Sequence, residues 1–390
     1  MKIIKVECIP VTLPMKKPQL TRDETRKSKD NVVVKVHTDE GIIGIGESGV
    51  PNTRRGDTVE GVMGTIKIVG SSILLGEDPF NIEMIVAKME RRVKGSNPAK
   101  AAIDMALYDI VGKTLGVPVY KLLGGLTYGK IPYCAMAHNR PTPKKVAESA
   151  AKALESGCYG VKYHFAKGVT FEEDLANVKA IREAIGPDGL FFACVNEGWD
   201  YHQALDSMKK LEKFNLLHIE QPVPWWDFAS LARLHEHQDI PIWADESVQE
   251  PSQVLQLIQM DAVDGLFFKV TCVGGLLKSL KWVSVCQAAG LPATLGSMGG
   301  SAITAAAQLH FLAANEWMGN RPFHGNISFL GLHDAFDTVS KPIDDLVINV
   351  PRYEKGYMYV PEAPGLGVEI NEEHLSQWVI PGMSQIEIRR

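Results

Sequence analysis

The sequence predicts an α/β protein in which a barrel of alternating strands and helices follows a smaller α+β unit. Two patterns along the 390 residues indicate this fold class. The first is an opening stretch in which apolar and polar residues alternate, which is typical of β-strands. The second is a long series of short apolar runs separated by amphipathic stretches, repeating every ~25 to 30 residues, which is typical of βα units around a parallel sheet.

The opening unit is predicted to contain an antiparallel sheet packed against helices. Its predicted strands are 2–13, 31–38 and 41–47. The charged segment 14–30 and the Gly- and Pro-containing segment 48–58 are predicted to be loops that act as mobile flaps. From 59 to 116 apolar residues recur at helical spacing, and a Gly followed by a Pro ends that region.

The second unit begins after residue 127 and is predicted to be a barrel. Its predicted strands are 133–137, 160–165, 190–195, 217–220, 242–245, 265–270 and 293–295. Seven or eight βα units fit a closed barrel better than an open sheet. We therefore expect a modified TIM-type (β/α)7β barrel at 128–352, an N-terminal α+β capping domain at 1–127, and a C-terminal tail at 353–390 that completes the capping domain.

Composition and charge argue against several classes of partner. A net charge of -5, from 41 Lys and Arg against 46 Asp and Glu, provides no basic surface for nucleic acid. The apolar runs are shorter than the ~18 to 20 residues that span a bilayer, so we expect no membrane partner. The six cysteines are scattered without a CxxC pair, and the chain opens with a strand pattern, so we expect reduced thiols in the cytoplasm.

Charged side chains close several of the predicted barrel strands. Lys162 and His164 end the run GVKYH and point to the same side, because side chains alternate across a strand. Glu220, Asp245 and Lys269 close three later runs. Any one of them alone could be an ordinary solvated loop residue. In a (β/α) barrel, however, the carboxyl ends of the strands carry the catalytic groups, so together they predict an active site.

This combination suits removal of a proton from the carbon next to a carboxylate. Two carboxylates, Glu220 and Asp245, can hold a hard divalent cation through oxygen. Such a cation would stabilise the enolate that forms, while a nearby base takes the proton. Crowding among Lys162, His164 and Lys269 is expected to lower the pKa values of all three, which suits a base.

Seven segments carry a resemblance to a known family. They are TDEGIIGIGES at 38–48, AAIDMALYDIVGK at 101–113, PVYKLLGG at 118–125, IEQP at 219–222, ADES at 244–247, GLFFKVTCVGGL at 265–276 and PEAPGLGVE at 361–369. Through them the chain resembles the enolase superfamily, specifically its mandelate racemase-like and muconate lactonizing enzyme-like members. The resemblance implies α-proton chemistry with a Lys or His base and Mg²⁺.

Two positions depart from the pattern of that family. The family's Asp-x-Asn-x-x-Trp pattern aligns its third metal carboxylate with Cys194, and Asn196 or Glu197 could compensate for the missing oxygen ligand. The resemblance implies Mg²⁺ as the cofactor. Because a thiolate at Cys194 would favour zinc or iron and a neutral thiol would bind poorly, another divalent metal is the alternative. His164 stands where the family has the second Lys of Lys-x-Lys, and histidine can serve as a base near neutral pH.

The resemblance also implies where substrate contacts lie. Selectivity in the family is attributed to two N-terminal loops, which here carry Arg22, Arg54 and Arg55, natural partners of an anionic group. Trp199 and Ser297 follow strand ends and are further expected contacts. For each Arg the alternative is a solvated surface side chain, and for Trp199 it is aromatic packing at the barrel rim.

Three functions remain open at this stage. With His164 and Lys269 on opposite sides, a small carboxylate substrate would lose a proton from one face and regain one on the other, as in a racemase or epimerase. If the substrate carries a β-leaving group, the same site would act as a dehydratase, and cycloisomerisation is a related alternative. Because Cys194 and His164 replace two characteristic groups, the third reading is an impaired homologue that binds a small acid. Family resemblance further implies a homo-oligomer.

Overall fold

The N-terminal strands form an antiparallel sheet that the last strand of the chain joins. The computed structural model describes residues 1–20, 25–49, 56–137, 142–165, 169–296, 300–319 and 345–389. Strands β1 (Ile3–Leu20), β2 (Thr25–Thr38) and β3 (Ile43–Glu47) lie side by side in that order, and β14 (Ile386–Arg389) pairs with the other side of β1. The C-terminal tail thus contributes a strand to the opening sheet.

The first two strands extend further than the sequence predicted. A loop was expected over 14–30, but among the residues described there Pro14 pairs with Ser28 and Gln19 with Arg26. The prediction is therefore wrong for this part of the chain. Backbone hydrogen bonds define the ribbon, and its charged, Pro-containing sequence lacks the apolar alternation that marks a strand with one buried face.

Helix α3 joins the two hydrophobic cores of the protein. The helices of this region are α1 (Val59–Val69), continued by a π-helical turn at Gly70–Leu74, α2 (Ile82–Arg92), α3 (Asn97–Leu115) and α4 (Val119–Leu122). On α3, Ala101 and Met105 belong to the larger core, which contains most strands of the parallel sheet described below, while Ala102 and Ala106 belong to a second core against the N-terminal antiparallel sheet. Most residues of α3 are buried on every side, including Lys100, Asp104 and Asp109, as expected for a helix in such a central position.

Strand β3 approaches the backbone of α3 closely at two glycines. A Cβ added at Gly44 would lie 2.1 Å from the carbonyl oxygen of Ala106, and one added at Gly46 would lie 1.9 Å from that of Ala102. Both distances are far below van der Waals contact, so a side chain at either position would push the strand away from the helix. These glycines set how deeply α3 sits against the sheet.

Seven parallel strands form the second sheet and follow one another in chain order. They are β5 (Cys134–Ala137), β6 (Gly160–His164), β7 (Leu190–Cys194), β8 (Ile219–Glu220), β9 (Ile242–Ala244), β10 (Gly265–Phe268) and β11 (Ala293–Leu295). The seven predicted strands are confirmed. Because β5 and β11 stand at the two edges of this sheet, closure into a (β/α)7β barrel stays a prediction.

Helices connect these strands. They are α5 (Pro143–Glu155), α6 (Phe171–Ile185), α7 (Tyr201–Leu211) with a 3-10 turn at Glu212–Phe214, α8 (Phe228–His237), α9 (Pro251–Gln259), α10 (Val270–Val273), α11 (Leu276–Ala288), α12 (Ala302–Ala314) and α13 (Glu316–Gly319). Thr170 and Asp200 cap α6 and α7, each with a reciprocal hydrogen bond from the third helical residue. None of the helices in the described ranges is long and apolar enough to cross a membrane.

The tail forms a small second contact with the start of the barrel region. Strands β12 (Tyr353–Glu354) and β13 (Tyr357–Tyr359) pair with β4 (Lys130–Pro132), and α14 (Glu372–Gln377) follows before β14. The tail therefore touches both predicted domains by strand pairing. The domain limits at 127 and 352 stay a prediction.

The two faces of the parallel sheet differ in chemistry. Residues on one face belong to the main hydrophobic core, and they include Val161, Tyr163, Ala193, Ile219, Ala244, Leu266 and Phe268. Residues that alternate with them point to the opposite face. There lie the charged and polar side chains of the strand ends together with several aromatic rings, namely Lys162, His164, Phe192, Cys194, Glu220, Trp243 and Phe267.

The contact between β3 and α3 can be tested with one pair of substitutions. We expect Gly46→Ala to lower the free energy of unfolding by about 1–3 kcal/mol, because the new methyl group meets the Ala102 carbonyl. Gly64→Ala is the matched control, since Gly64 lies within α1 with no atom within 4 Å of an added Cβ. Urea denaturation should show the control unchanged or slightly stabilised. Equal stability of the two variants would contradict the close packing.

Candidate active site

The charged residues singled out from the sequence meet at the carboxyl ends of β6 to β10. Lys162 and His164 belong to β6, Cys194 ends β7 and Glu220 ends β8, while Asp245 and Lys269 directly follow β9 and β10. His164 pairs in register with Cys194, and Cys194 with Glu220. Because parallel strands in register place these side chains side by side, the sheet itself assembles the cluster.

Two buried ion pairs organise the cluster. Lys162 Nζ donates to Glu220 Oε2 at 2.6 Å, with 3% and 1% of the two side chains exposed. Lys269 donates to Asp245 in the same way, and both side chains are again buried. The Cys194 thiol donates to the other Glu220 oxygen, with 3.1 Å between Sγ and Oε1. Each oxygen of the Glu220 carboxylate therefore accepts one of these hydrogen bonds and keeps a second lone pair.

These contacts set the protonation states of three groups. Burial lowers the pKa of Lys162, but the Glu220 carboxylate outweighs burial and the net direction is upward. The expected lowering for Lys162 is therefore wrong, because its partner is an anion. Burial, reinforced by the Lys162 charge, lowers the pKa of His164 to about 3, as expected. Burial and the Glu220 charge raise the pKa of Cys194 well above its usual range, so Cys194 is a thiol.

A chain of hydrogen bonds leads away from His164. His164 Nδ1 lies 3.1 Å from Asn196 Oδ1, and Asn196 Nδ2 lies 3.1 Å from Glu246 Oε1. Asn196 has a φ of 47° and Glu197 a φ of 64°, so the segment after β7 turns through the left-handed region. Asn196, predicted as a metal ligand, contacts His164 and Glu246 through its two amide atoms.

One aromatic ring of the cluster lies close to both lysine side chains. The Phe267 ring is 4.1 Å from Lys162 Nζ and 5.1 Å from Lys269 Nζ, measured to the ring centroid. A cation over an aromatic face is attracted by the ring quadrupole. Both ammonium groups therefore converge on one ring although their strands, β6 and β10, are four apart in the sheet. Deeper in, His218 stacks between Phe192 and Trp243, at centroid distances of 4.8 and 4.4 Å.

Three residues of the site were missed in the sequence. Phe267 could have been found, because it alternates with Lys269 and must share its face. Glu246 could not, because alternation would place it opposite Asp245, whereas the strand has already ended at Ala244. Gln221, with a φ of 42°, accepts from the backbone N–H groups of Asp245 and Ser247 at 2.9 and 3.1 Å. Its amide thus fixes the backbone on both sides of Glu246.

The predicted substrate contacts are only partly covered by the structure. Arg22, Arg54, Arg55 and Ser297 lie outside the described residues. The Trp199 ring packs edge-on against Phe165 and Phe171, with centroids 5.0 and 6.2 Å apart. This is the aromatic packing considered as the alternative for Trp199, and its contact with substrate stays a prediction.

The metal ligands also stay a prediction. Glu220 and Asp245 end neighbouring strands and offer hard oxygen atoms, whereas Cys194 offers a protonated sulfur. Over the described ranges, no group of three or more His, Cys, Asp or Glu side chains is arranged to hold a metal ion. Two carboxylates are nevertheless a sufficient protein contribution for Mg²⁺, which commonly keeps several waters and binds substrate oxygen as well.

Comparison with known proteins identifies the family. A profile for the N-terminal domain of mandelate racemase / muconate lactonizing enzyme matches residues 3–124, and one described as enolase C-terminal domain-like matches residues 145–374. The chain belongs to the mandelate racemase/muconate lactonizing enzyme family of the enolase superfamily. The resemblance drawn from the sequence motifs is confirmed, and so is the prediction of an enzyme of this superfamily.

Relatives of this family member span its whole length. N-succinyl-L-Arg/Lys racemase from Bacillus cereus is 30% identical, and the match covers 97% of this chain and 98% of the relative. Muconate cycloisomerase 1 from Rhodococcus opacus is also 30% identical, with the same two coverages of 97% and 98%.

Solved structures agree with this assignment. A mandelate racemase/muconate lactonizing family protein from Azoarcus sp. EbN1 has a TM-score of 0.91 at 40% identity, with both chains covered completely. A dipeptide epimerase from Cytophaga hutchinsonii, complexed with Mg and the dipeptide D-Ala-L-Val, has a TM-score of 0.87 at 26% identity, again over both complete chains.

The buried ion pair between β6 and β8 makes a stability prediction. We expect Lys162→Met to lower the free energy of unfolding by about 3–5 kcal/mol, because Glu220 would lose its buried cationic partner. Lys179→Met is the control, because Lys179 pairs with Glu183 at 3.8 Å with both side chains mostly exposed. There the loss should stay below about 1 kcal/mol in urea denaturation. A loss for Lys162→Met no larger than that of the control would show that the pair is not stabilising.

Proposed function

We propose that this enzyme is a racemase or epimerase that exchanges the α-proton of a small carboxylate of the N-acylamino acid or dipeptide class. The observation that carries the proposal is the placement of two nitrogen bases around the carboxylates Glu220 and Asp245. His164 ends β6 on one side of them, and Lys269 follows β10 on the other. The substrate class is suggested by the relatives named N-succinyl-L-Arg/Lys racemase and dipeptide epimerase.

The proton transfer follows from the state of the two bases. The neutral His164 imidazole takes the α-proton, and the electron pair of the broken C–H bond moves into the substrate carboxylate as an enolate. Lys269, an ammonium ion-paired with Asp245, gives a proton to the opposite face, and a new C–H bond forms. In the reverse direction the two groups exchange roles. Lys162 stays an ammonium and its charge favours the enolate.

We further propose that Glu220 and Asp245 hold Mg²⁺. Their oxygens suit a hard cation, whereas the neutral Cys194 thiol is a poor ligand and the Asn196 amide is engaged by His164 and Glu246. When bound, the metal would neutralise charge that develops on the substrate carboxylate. The Cys194 thiol instead donates to Glu220 Oε1 and so serves as a hydrogen-bond partner of that carboxylate.

The other functions use fewer features of the site. Cycloisomerisation, the reaction in the name of the Rhodococcus opacus relative, needs one base and leaves the second face of the substrate without a role. Dehydration needs an acid for the leaving group, and a His164 imidazole with a pKa of about 3 is neutral and a poor proton donor. An impaired homologue would have no use for two buried ion pairs, which cost desolvation energy. Two opposed bases therefore favour racemisation over these alternatives.

The assignment of one base to each face predicts face-specific exchange. We expect the wild type to exchange the α-proton of both enantiomers of N-succinylamino acids or dipeptides in D₂O, followed by proton NMR. His164→Gln and Lys269→Met should each lower the rate of racemisation by ~100-fold or more, because one base is missing. Each variant should still exchange the α-proton of one enantiomer, and the two variants should retain opposite enantiomers.

Two exposed residues provide matched controls for this experiment. His202→Gln changes an exposed histidine on α7, and Lys281→Met removes an exposed lysine that pairs with Glu83. Both should keep the wild-type rates. Circular dichroism first establishes that Lys269→Met folds. Exchange of only one enantiomer by the wild type would favour one-base chemistry, and no exchange with any substrate would contradict the proposed function.

The metal proposal predicts the effect of restoring a carboxylate. Cys194→Asp should tighten Mg²⁺ binding by at least ~10-fold, about 1.4 kcal/mol, because a third hard oxygen ligand replaces a thiol. Cys194→Ser, which removes the sulfur without adding charge, should bind Mg²⁺ much as the wild type does. Titration calorimetry with MgCl₂ measures all three. Identical affinity in the three proteins would show that position 194 lies outside the metal site.

A further inference from the structure

The orientation of the His164 ring is set by two residues outside the predicted catalytic set. His164 Nδ1 meets Asn196 Oδ1 at 3.1 Å, and Asn196 Nδ2 meets Glu246 Oε1 at the same distance of 3.1 Å. The three side chains come from the ends of β6, β7 and β9. They form a chain in which each hydrogen bond restricts the next.

Chemistry decides the direction of every proton in this chain. Asn196 Nδ2 donates to Glu246 Oε1, so the amide oxygen of Asn196 is the atom that faces His164 Nδ1. An amide oxygen only accepts hydrogen bonds. His164 must therefore carry its proton on Nδ1. In a neutral imidazole the other nitrogen, Nε2, is left with a lone pair.

The Nε2 atom of His164 is available for chemistry. It is buried and has no hydrogen-bond partner among the described residues. Its ring lies on the same face of the sheet as Lys162, because the two residues alternate with Tyr163. A buried nitrogen without a partner costs free energy unless a ligand or substrate uses it.

The backbone holds both positioning groups firmly. The left-handed turn at Asn196 and Glu197 is tied down by the bond from Glu197 N to Gln221 O at 2.9 Å, and by Glu197 Oε1, which accepts from Trp225 N at 2.8 Å. Non-glycine residues occupy this region at a cost, which the surrounding contacts must offset. Glu246 lies between Asp245 and Ser247, whose N–H groups are both held by the Gln221 amide.

We propose that Asn196 and Glu246 are positioning residues that hold His164 as the Nδ1–H tautomer, with Nε2 directed at the substrate as the proton acceptor. The tautomer follows from the hydrogen-bond chain alone. The role of Nε2 in taking the α-proton rests on the proposed function. Asn196 and Glu246 both act through the His164 ring.

The tautomer can be observed directly in the full-length protein. Histidine labelled with ¹⁵N gives long-range ¹H–¹⁵N correlations that separate a protonated from an unprotonated ring nitrogen, and His164→Gln identifies the signals among the 11 histidines. The spectra are recorded about two pH units above the ordinary histidine pKa of ~6.5. We expect a protonated Nδ1 and an unprotonated Nε2 in the wild type.

Substitutions reverse the donor and acceptor pattern in a controlled way. Glu246→Gln supplies a side chain that can donate as well as accept, so Asn196 is free to turn and His164 should populate the Nε2–H tautomer. Adding Asn196→Asp to it should restore the Nδ1–H tautomer, because the new carboxylate accepts from both neighbours. Glu236→Gln, at an exposed position on α8, is the matched control and should leave the His164 signals unchanged.

Kinetics then connect the tautomer to the reaction. Glu246→Gln should lower kcat by ~100-fold for the enantiomer whose proton His164 removes, with KM nearly unchanged, and the double variant should recover much of the loss. A wild-type His164 protonated on Nε2, or a tautomer unaffected by Glu246→Gln, would overturn the inference. If the tautomer behaves as expected but no substrate exchanges, the positioning chain stands and the proposed function fails.

Discussion

Charges buried at the carboxyl ends of β6 to β10 are the constraint on which the site depends. Removed from water, each carboxylate must meet a cation or a hydrogen-bond donor, and each lysine an anion. Glu220 and Asp245 therefore take Lys162 and Lys269 as partners. Because each pair joins two different strands, the ion pairs also link the strands across the sheet. The same two ion pairs therefore contribute to stability and place the charged groups of the site.

This constraint explains why the two departures from the family pattern occur together. His164 and Cys194 are register partners on neighbouring strands. The family pattern implies a lysine at the first position and an aspartate at the second, which is one positive and one negative charge. Replacing both with groups that are neutral when buried leaves the net charge of the cluster unchanged, whereas replacing either alone would leave an uncompensated buried charge. The departures are better understood as one exchange than as two losses.

A histidine at position 164 also requires neighbours that fix its tautomer. A neutral lysine amine can turn its single lone pair by rotation about the Cε–Nζ bond, but a histidine base works only in the correct tautomer. The positioning role proposed for Asn196 and Glu246 follows from this requirement. Further from the chemistry, α3 contributes residues to both hydrophobic cores and so connects the N-terminal sheet with the parallel sheet.

The sequence by itself determined the seven parallel strands, the antiparallel opening sheet and the charged residues at the strand ends, because strand periodicity and apolar runs are local properties of the chain. Only the tertiary structure decided that Pro14 and Gln19 lie in a paired ribbon, that Lys162 meets an anion rather than only other cations, and that Glu246 turns toward Asn196. Each of these depends on which residue lies across a gap between strands. Spacing along one strand cannot report that, since partners such as Lys162 and Glu220 are brought together only when the sheet forms.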